Sequence, residues 1–147
     1  MQINPAVGSV TVPSAPRRKV LHNTLWVVQI LLALGFGIAG VTKLGQPIEV
    51  LAKMMGWPGD VPPALVRFIG LSELAGAIGI VVPAAVHIRP RLTAWAATGL
   101  FGIMLLAALF HLSRGEAQFV PVNIVLGGLA AFVAWGRFWK VPIAPRA

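Results

Sequence analysis

Cysteine is absent from this chain of 147 residues, and only four residues are Asp or Glu. Without cysteine the chain cannot form disulfides, thiolate metal sites, iron–sulfur clusters or a dithiol relay, which excludes the thiol-oxidase class of four-helix membrane proteins. The four acids and three histidines are scattered, so no spacing typical of a metal site arises and we expect none. Glycine-rich phosphate loops and a serine nucleophile elbow are also missing.

Charge is scarce as well, at 11% of residues, whereas 57% are apolar and the mean hydropathy is +0.83. An ordinary soluble domain is about 45–50% apolar and about 25% charged. A domain of this length buries only about 70% of its unfolded surface, which is too little to hide so much hydrocarbon from water. The composition therefore predicts a protein embedded in lipid, and it excludes a soluble enzyme, a coiled coil and a disordered regulator.

Four apolar runs are long enough to cross a hydrocarbon core about 30 Å thick. They predict an all-α fold, an integral membrane antiparallel four-helix bundle occupying residues 21–139, with spans at about 22–44, 64–86, 91–112 and 119–137. The first run is too long for a signal peptide and lacks a clean cleavage site, so we expect it to be retained. Residues 1–20 are predicted as a flexible cytoplasmic N-terminal tail and 140–147 as a cytoplasmic C-terminal tail. The connection over 45–60 has room for a short interfacial helix.

The formal net charge is +8, and the basic residues flank the apolar runs without interleaved aromatics, which argues against nucleic acid as a partner. The flanks on one side of the membrane contain Arg17, Arg18, Lys19, Arg89, Arg91, Arg137, Lys140 and Arg146. The flanks on the other side contain Lys43, Lys53, Arg114 and Arg67. By the positive-inside rule, this asymmetry predicts that both termini face the cytoplasm.

Glu73 lies ten residues into the second predicted span, or ~15 Å deep, close to the middle of the bilayer. An ionised carboxylate at that depth costs at least ~2.5 kcal/mol, so such groups pair, stay protonated or serve a function. Arg67 is a candidate partner, although six positions along a helix separate the two by ~240° of rotation. Two interpretations stay open: a protonated glutamic acid that locks the bundle by hydrogen bonding, or a group that binds ligand or moves protons.

Antiparallel threading brings one polar residue from each span to the same side of the membrane. These residues are Lys43, Arg67, His111 and Asn123. Most such residues simply snorkel to the interface, but four of them above a buried carboxylate would form a polar vestibule. We therefore predict that Glu73, Arg67, His111, Asn123 and Lys43 line a site for a small amphipathic ligand such as a quinone head group.

A haem is a weaker possibility. His22 and His87 both fall near the cytoplasmic ends of their spans, but His87 lies outside the helical run and axial ligation needs two imidazoles at matched depth. We expect no cofactor other than a quinone.

Four segments of the sequence carry a resemblance to a known family. The second predicted span contains Gly70-Leu71-Ser72-Glu73, the third ends in Phe110-His111-Leu112-Ser113-Arg114-Gly115-Glu116, and Pro121-Val122-Asn123 follows. Together with Ala39-Gly40-Val41-Thr42-Lys43-Leu44, these segments resemble the DoxX-like membrane proteins over about residues 22–139. The resemblance implies a small four-helix protein of the bacterial inner membrane. It also implies an association with respiratory redox complexes, such as a thiosulfate:quinone oxidoreductase, or with thiol and oxidative-stress systems.

Three hypotheses follow for the function. The first is a subunit or accessory of a quinone-linked redox system, with a redox partner protein or a second copy of the chain as partner, and at most a subunit of an oxidoreductase. The second is a small proton-coupled exporter with Glu73 as proton carrier, although the surrounding basic residues would repel cationic substrates. The third is a membrane anchor or assembly factor without catalytic activity.

Overall fold

The computed structural model describes residues 15–146. Helix α1 covers Ala15–Gly45, α2 Ile48–Met55, α3 Pro63–Val86, α4 Arg91–Ser113 and α5 Val120–Trp135. Short 3₁₀ turns at Trp57–Gly59 and Ala117–Phe119 precede α3 and α5, and a π-helical turn at Gly136–Lys140 extends α5. No strand occurs among the described residues. The predicted all-α bundle of apolar helices is confirmed.

Four of these segments are long and apolar enough to span a membrane: Pro16–Gly45, Pro63–Val86, Arg91–Ser113 and Ala117–Lys140. The chain is therefore a multi-pass protein of a lipid bilayer. Helix α1 begins at Ala15 and continues through the basic triplet, so residues 15–20, which the sequence assigns to the tail, are helical. Residues 1–14 and 147 of the two predicted tails lie outside the described part of the chain.

The spanning helices form a ring in the order α1, α3, α4, α5, and α5 returns to α1. Each helix buries one stripe at spacings of three and four residues, as Val66, Gly70, Glu73, Ala77 and Ile80 do on α3. Large apolar side chains on the opposite faces are exposed, which is the surface that lipid covers. We call the end with α2 and residues 114–119 the loop-rich end. The other end, where α1 begins and the π-helical turn follows α5, we call the terminal end.

Two helix backbones approach closely near the loop-rich end, where Gly40 of α1 meets Gly70 of α3. A Cβ atom added at Gly40 would lie 2.7 Å from the carbonyl oxygen of Gly70 and 2.8 Å from the backbone nitrogen of Leu74. Small residues permit such contact between transmembrane helices, where van der Waals packing drives association. This crossing fixes the height of α1 against α3.

A methyl group at this crossing should push the two helices apart. We expect Gly40→Ala to lower the free energy of unfolding in mixed micelles by about 1–3 kcal/mol, the usual cost of overpacking. Gly35→Ala is the matched control, because a Cβ there meets nothing within 4 Å and alanine is the better helix former. Equal effects of the two substitutions on the free energy of unfolding would show that α1 and α3 are not in close contact at Gly40.

Candidate functional site

A cavity of about 440 Å³ lies inside the bundle at the loop-rich end. Its walls are mainly apolar and come from α3, α4 and the turn around Trp57, while α1 and α5 each contribute one polar residue. Leu65, Phe68 and Leu106 line the cavity and are also exposed, by 43%, 65% and 68%. The cavity therefore opens sideways, between α3 and α4, towards lipid.

Lys43 and Glu73 form an ion pair in the cavity wall. The Nζ atom of Lys43 lies 2.8 Å from Oε2 and 3.1 Å from Oε1 of Glu73, and both side chains are less than a tenth exposed. The crossing at Gly40 and Gly70 sets Lys43 beside α3, so its ammonium turns into the bundle. Pairing offsets the cost of placing either charge in a medium of low dielectric constant.

Asn123 contributes an unpaired donor to the same wall. It sits in the first turn of α5, is 7% exposed, and its Nδ2 atom is buried without a hydrogen-bond partner among residues 15–146. A buried donor left unsatisfied costs about 1–3 kcal/mol, and Asn123 is one of the residues that line the cavity.

His111 lines the cavity nearer the water. Its Nδ1 lies 2.7 Å from Oε2 of Glu116, and its ring lies beside that of Phe119 with centroids 5.1 Å apart. Trp57 packs edge-on against Phe110, with ring centroids 5.9 Å apart, and closes the cavity at this end.

Arg67 is not among the residues that line this cavity, and it does not pair with Glu73. Its Nη1 donates a hydrogen bond to the carbonyl oxygen of Lys43, in the last turn of α1. Terminal carbonyls of a helix lack intrahelical donors and carry the negative end of the helix dipole, which makes them a favourable partner for a guanidinium. Of the five predicted residues, Lys43, Glu73, His111 and Asn123 share one cavity.

A second cluster of polar side chains lies at the terminal end, and it was not predicted from the sequence. Arg137 is 4% exposed, and its Nε donates to Oε1 of Gln29 at 2.7 Å, while Nε2 of Gln29 donates to the carbonyl oxygen of Ile80 at 2.6 Å. Nη1 of Arg137 lies 3.2 Å from Nδ1 of His22, and the indole of Trp26 donates to Nε2 of the same ring. These bonds join α1, α3 and the π-helical turn, which is a packing role.

The two histidines considered as axial ligands of a haem both hydrogen-bond other groups of the chain. His22 is held by Trp26 and Arg137, and the imidazole of His87 hydrogen-bonds the carbonyl oxygen of Ala144 at 3.0 Å. Over residues 15–146, no three His, Asp or Glu side chains gather in a group that could hold a metal ion.

A family model matches residues 27–133, and it describes the DoxX-like family. Since the match covers most of the chain, the chain belongs to the DoxX-like family, which confirms the resemblance. Comparison with curated proteins and with solved structures gives no match.

Removing one charge of the buried pair should destabilise the bundle more than removing both. We expect Glu73→Leu to lower the free energy of unfolding by about 3–5 kcal/mol, because the ammonium of Lys43 is left buried and unpaired. The double variant Lys43→Met/Glu73→Leu should recover most of that loss. SDS titration of the purified proteins measures both.

Lys53→Met is the control, because this lysine is exposed on α2 and its loss should change stability by no more than about 0.5 kcal/mol. Strictly additive losses from Lys43→Met and Glu73→Leu would show that the two side chains do not interact.

Proposed function

We propose that this DoxX-like protein binds a quinone in the bilayer as the membrane subunit or accessory of a quinone-linked redox system. The observation that carries the proposal is the unpaired amide of Asn123, which lies with the ammonium of Lys43 in the wall of a largely apolar cavity open to lipid.

The shape and chemistry of the cavity suit a quinone. A quinone has a flat ring with two carbonyl acceptors and, in membranes, a long apolar tail. The volume of about 440 Å³ lies within the usual range for small-molecule sites, about 300–1,000 Å³. Asn123 and Lys43 supply donors for a carbonyl oxygen, and the opening between Phe68 and Leu106 would let the tail remain in lipid. Glu73 holds the ammonium in place and keeps the pair neutral.

The other two hypotheses fit these observations less well. A cationic substrate that approached Glu73 would meet the ammonium of Lys43, 2.8 Å from the carboxylate, so the ion pair disfavours an exporter of cations. Buried polar atoms without a partner in the part of the chain that the structure describes also occur at Thr93 and Arg137, away from the cavity, and each such atom costs stability. Asn123 differs from them because it lines the open cavity, a feature that a purely structural anchor does not need.

The proposed location is the inner membrane of a bacterium, with both termini in the cytoplasm and the cavity near the periplasmic side. Arg137 and Lys43 are buried, so we leave them out of the count of flanking Lys and Arg residues. That count then changes from eight on the cytoplasmic side and four on the other to seven and three. The remaining asymmetry still favours this orientation. The electron-transfer partner would be a redox protein at the membrane.

Single cysteines can test the orientation, because the chain has none of its own. Met54 and Ile88 are exposed to similar extents, 63% and 61%, on opposite ends of the bundle. In intact spheroplasts we expect Met54→Cys to react with a membrane-impermeant maleimide and Ile88→Cys to react only after lysis. The reverse pattern would overturn the orientation.

Quinone binding can be tested with a matched pair of variants. We expect the purified protein to bind a short-chain ubiquinone or menaquinone in equilibrium dialysis, and Asn123→Leu to weaken binding at least tenfold because the donor is lost. Thr93→Val is the control, since Oγ1 of Thr93 is likewise buried without a partner in the described chain but lies outside the cavity. Equal affinities of wild type and Asn123→Leu would refute the proposed site, as would absence of binding to the wild type.

A further inference from the structure

The end of α4 folds Glu116 back onto His111. Gly115 has a φ of +72°, and the backbone nitrogens of Glu116 and Gly115 donate to the carbonyl oxygens of His111 and Leu112 at 2.9 and 3.1 Å. This is the double hydrogen bond of a Schellman motif, in which glycine takes the left-handed conformation and the chain reverses direction. The turn therefore sets the carboxylate of Glu116 beside the imidazole of His111.

These two side chains connect the cavity to the surface. His111 lines the cavity, and its side chain is 13% exposed, while that of Glu116 is 22% exposed. With Nδ1 bound to Glu116, Nε2 is the ring nitrogen left for a group inside the cavity. Arg114 holds the other oxygen of Glu116 through Nε at 2.9 Å, and its Nη2 lies 2.7 Å from Oδ2 of Asp60, which fixes the carboxylate from outside.

We propose that His111 and Glu116 form a proton path between the bound ligand and the water at the loop-rich end. This inference rests on the proposed quinone site. The O–H bond of a bound hydroquinone breaks as Nε2 of His111 takes the proton, the Nδ1 proton passes to Glu116, and Glu116 releases it to water. The imidazole then carries its proton on Nε2, and a proton returns from Nε2 to Nδ1 through water before the ring accepts again. Over two such cycles, the hydroquinone loses two protons and two electrons and becomes the quinone. The electrons go to a one-electron acceptor protein at the membrane.

The surroundings of the pair suit proton transfer. Hydrogen bonds from His111 and Arg114 lower the pKa of the Glu116 carboxyl below its ordinary value, so at neutral pH it is an ionised acceptor that passes a proton on to water. The charged groups around His111 are Glu116 and Arg114 on its outer side, with Asp60 behind Arg114, and the Lys43–Glu73 pair, which lines the same cavity. A neutral imidazole can accept at one nitrogen while it donates from the other.

The path can be tested in single turnovers, with protein in excess over a short-chain ubiquinol so that all the quinol is bound. Hexacyanoferrate(III) serves as the one-electron oxidant, and the absorbance of the quinone reports the rate. We expect Glu116→Gln to slow oxidation at least tenfold while the affinity for the quinol stays within twofold. Formate added to the buffer should restore much of the rate of Glu116→Gln, because a small acid can carry the proton in place of the missing carboxylate.

Glu49→Gln is the matched control, since it is the same substitution of an exposed acid at the same end of the bundle, and it should oxidise at the wild-type rate. A Glu116→Gln rate equal to wild type, in a protein whose quinol binding depends on Asn123, would overturn the proton path and leave the quinone site standing. Loss of quinol affinity in both Glu116→Gln and Glu116→Asp would also overturn it, because the residue would then only shape the site. A wild type that binds no quinol refutes both proposals.

Discussion

Lys43 on α1 and Glu73 on α3 place opposite charges 2.8 Å apart where neither side chain reaches water. In lipid neither charge is tolerable alone, so the two helices must meet at one height and one rotation. The glycine crossing one turn away allows that meeting, because only a hydrogen atom fits between the two backbones at Gly40. The glycine crossing and the ion pair together thus fix the register of α1 against α3 and, with it, one wall of the cavity.

The two ends of the bundle solve the problem of buried polarity differently. All four acidic residues of the chain lie towards the loop-rich end. Glu73 lines the cavity, and the other three are in α2 or in the loops at that end: Glu49, Asp60 and Glu116. The terminal end has Arg137, whose guanidinium hydrogen-bonds Gln29 and His22, while its Nη2 is buried without a partner among the described residues. An ion pair beside an open cavity suits ligand binding, whereas a buried hydrogen-bond network that joins three segments of the chain suits packing.

The sequence was sufficient to predict the four spanning helices, because long apolar segments with few charges lie in lipid, where a helix satisfies every backbone hydrogen bond within the segment. Small residues lie at helical spacing around Glu73 and Asn123, a pattern typical of a helix face that packs against other helices, and both side chains are buried. The partner of Glu73 could not be read in the same way, because a lysine near a helix end ordinarily snorkels to water. Whether it turns inward depends on the height of α1 against α3, which is a long-range packing result.

Arg67 and Arg137 show two further limits of sequence reasoning. Arg67 looked like a site residue because of its position, but the carbonyl groups at the end of α1 compete for its guanidinium. Arg137 was counted among interfacial charges, yet it lies four residues after the buried Val133, at the spacing that marks the inward stripe of α5. That signal was present in the sequence.

The vibrational spectrum of a bound quinone labelled with ¹³C at its carbonyl carbons tests the central claim most directly. We expect one carbonyl stretch to shift strongly to lower frequency, because that carbonyl oxygen accepts hydrogen bonds from Asn123 and Lys43. Two carbonyl bands at the positions of the free quinone would contradict the account.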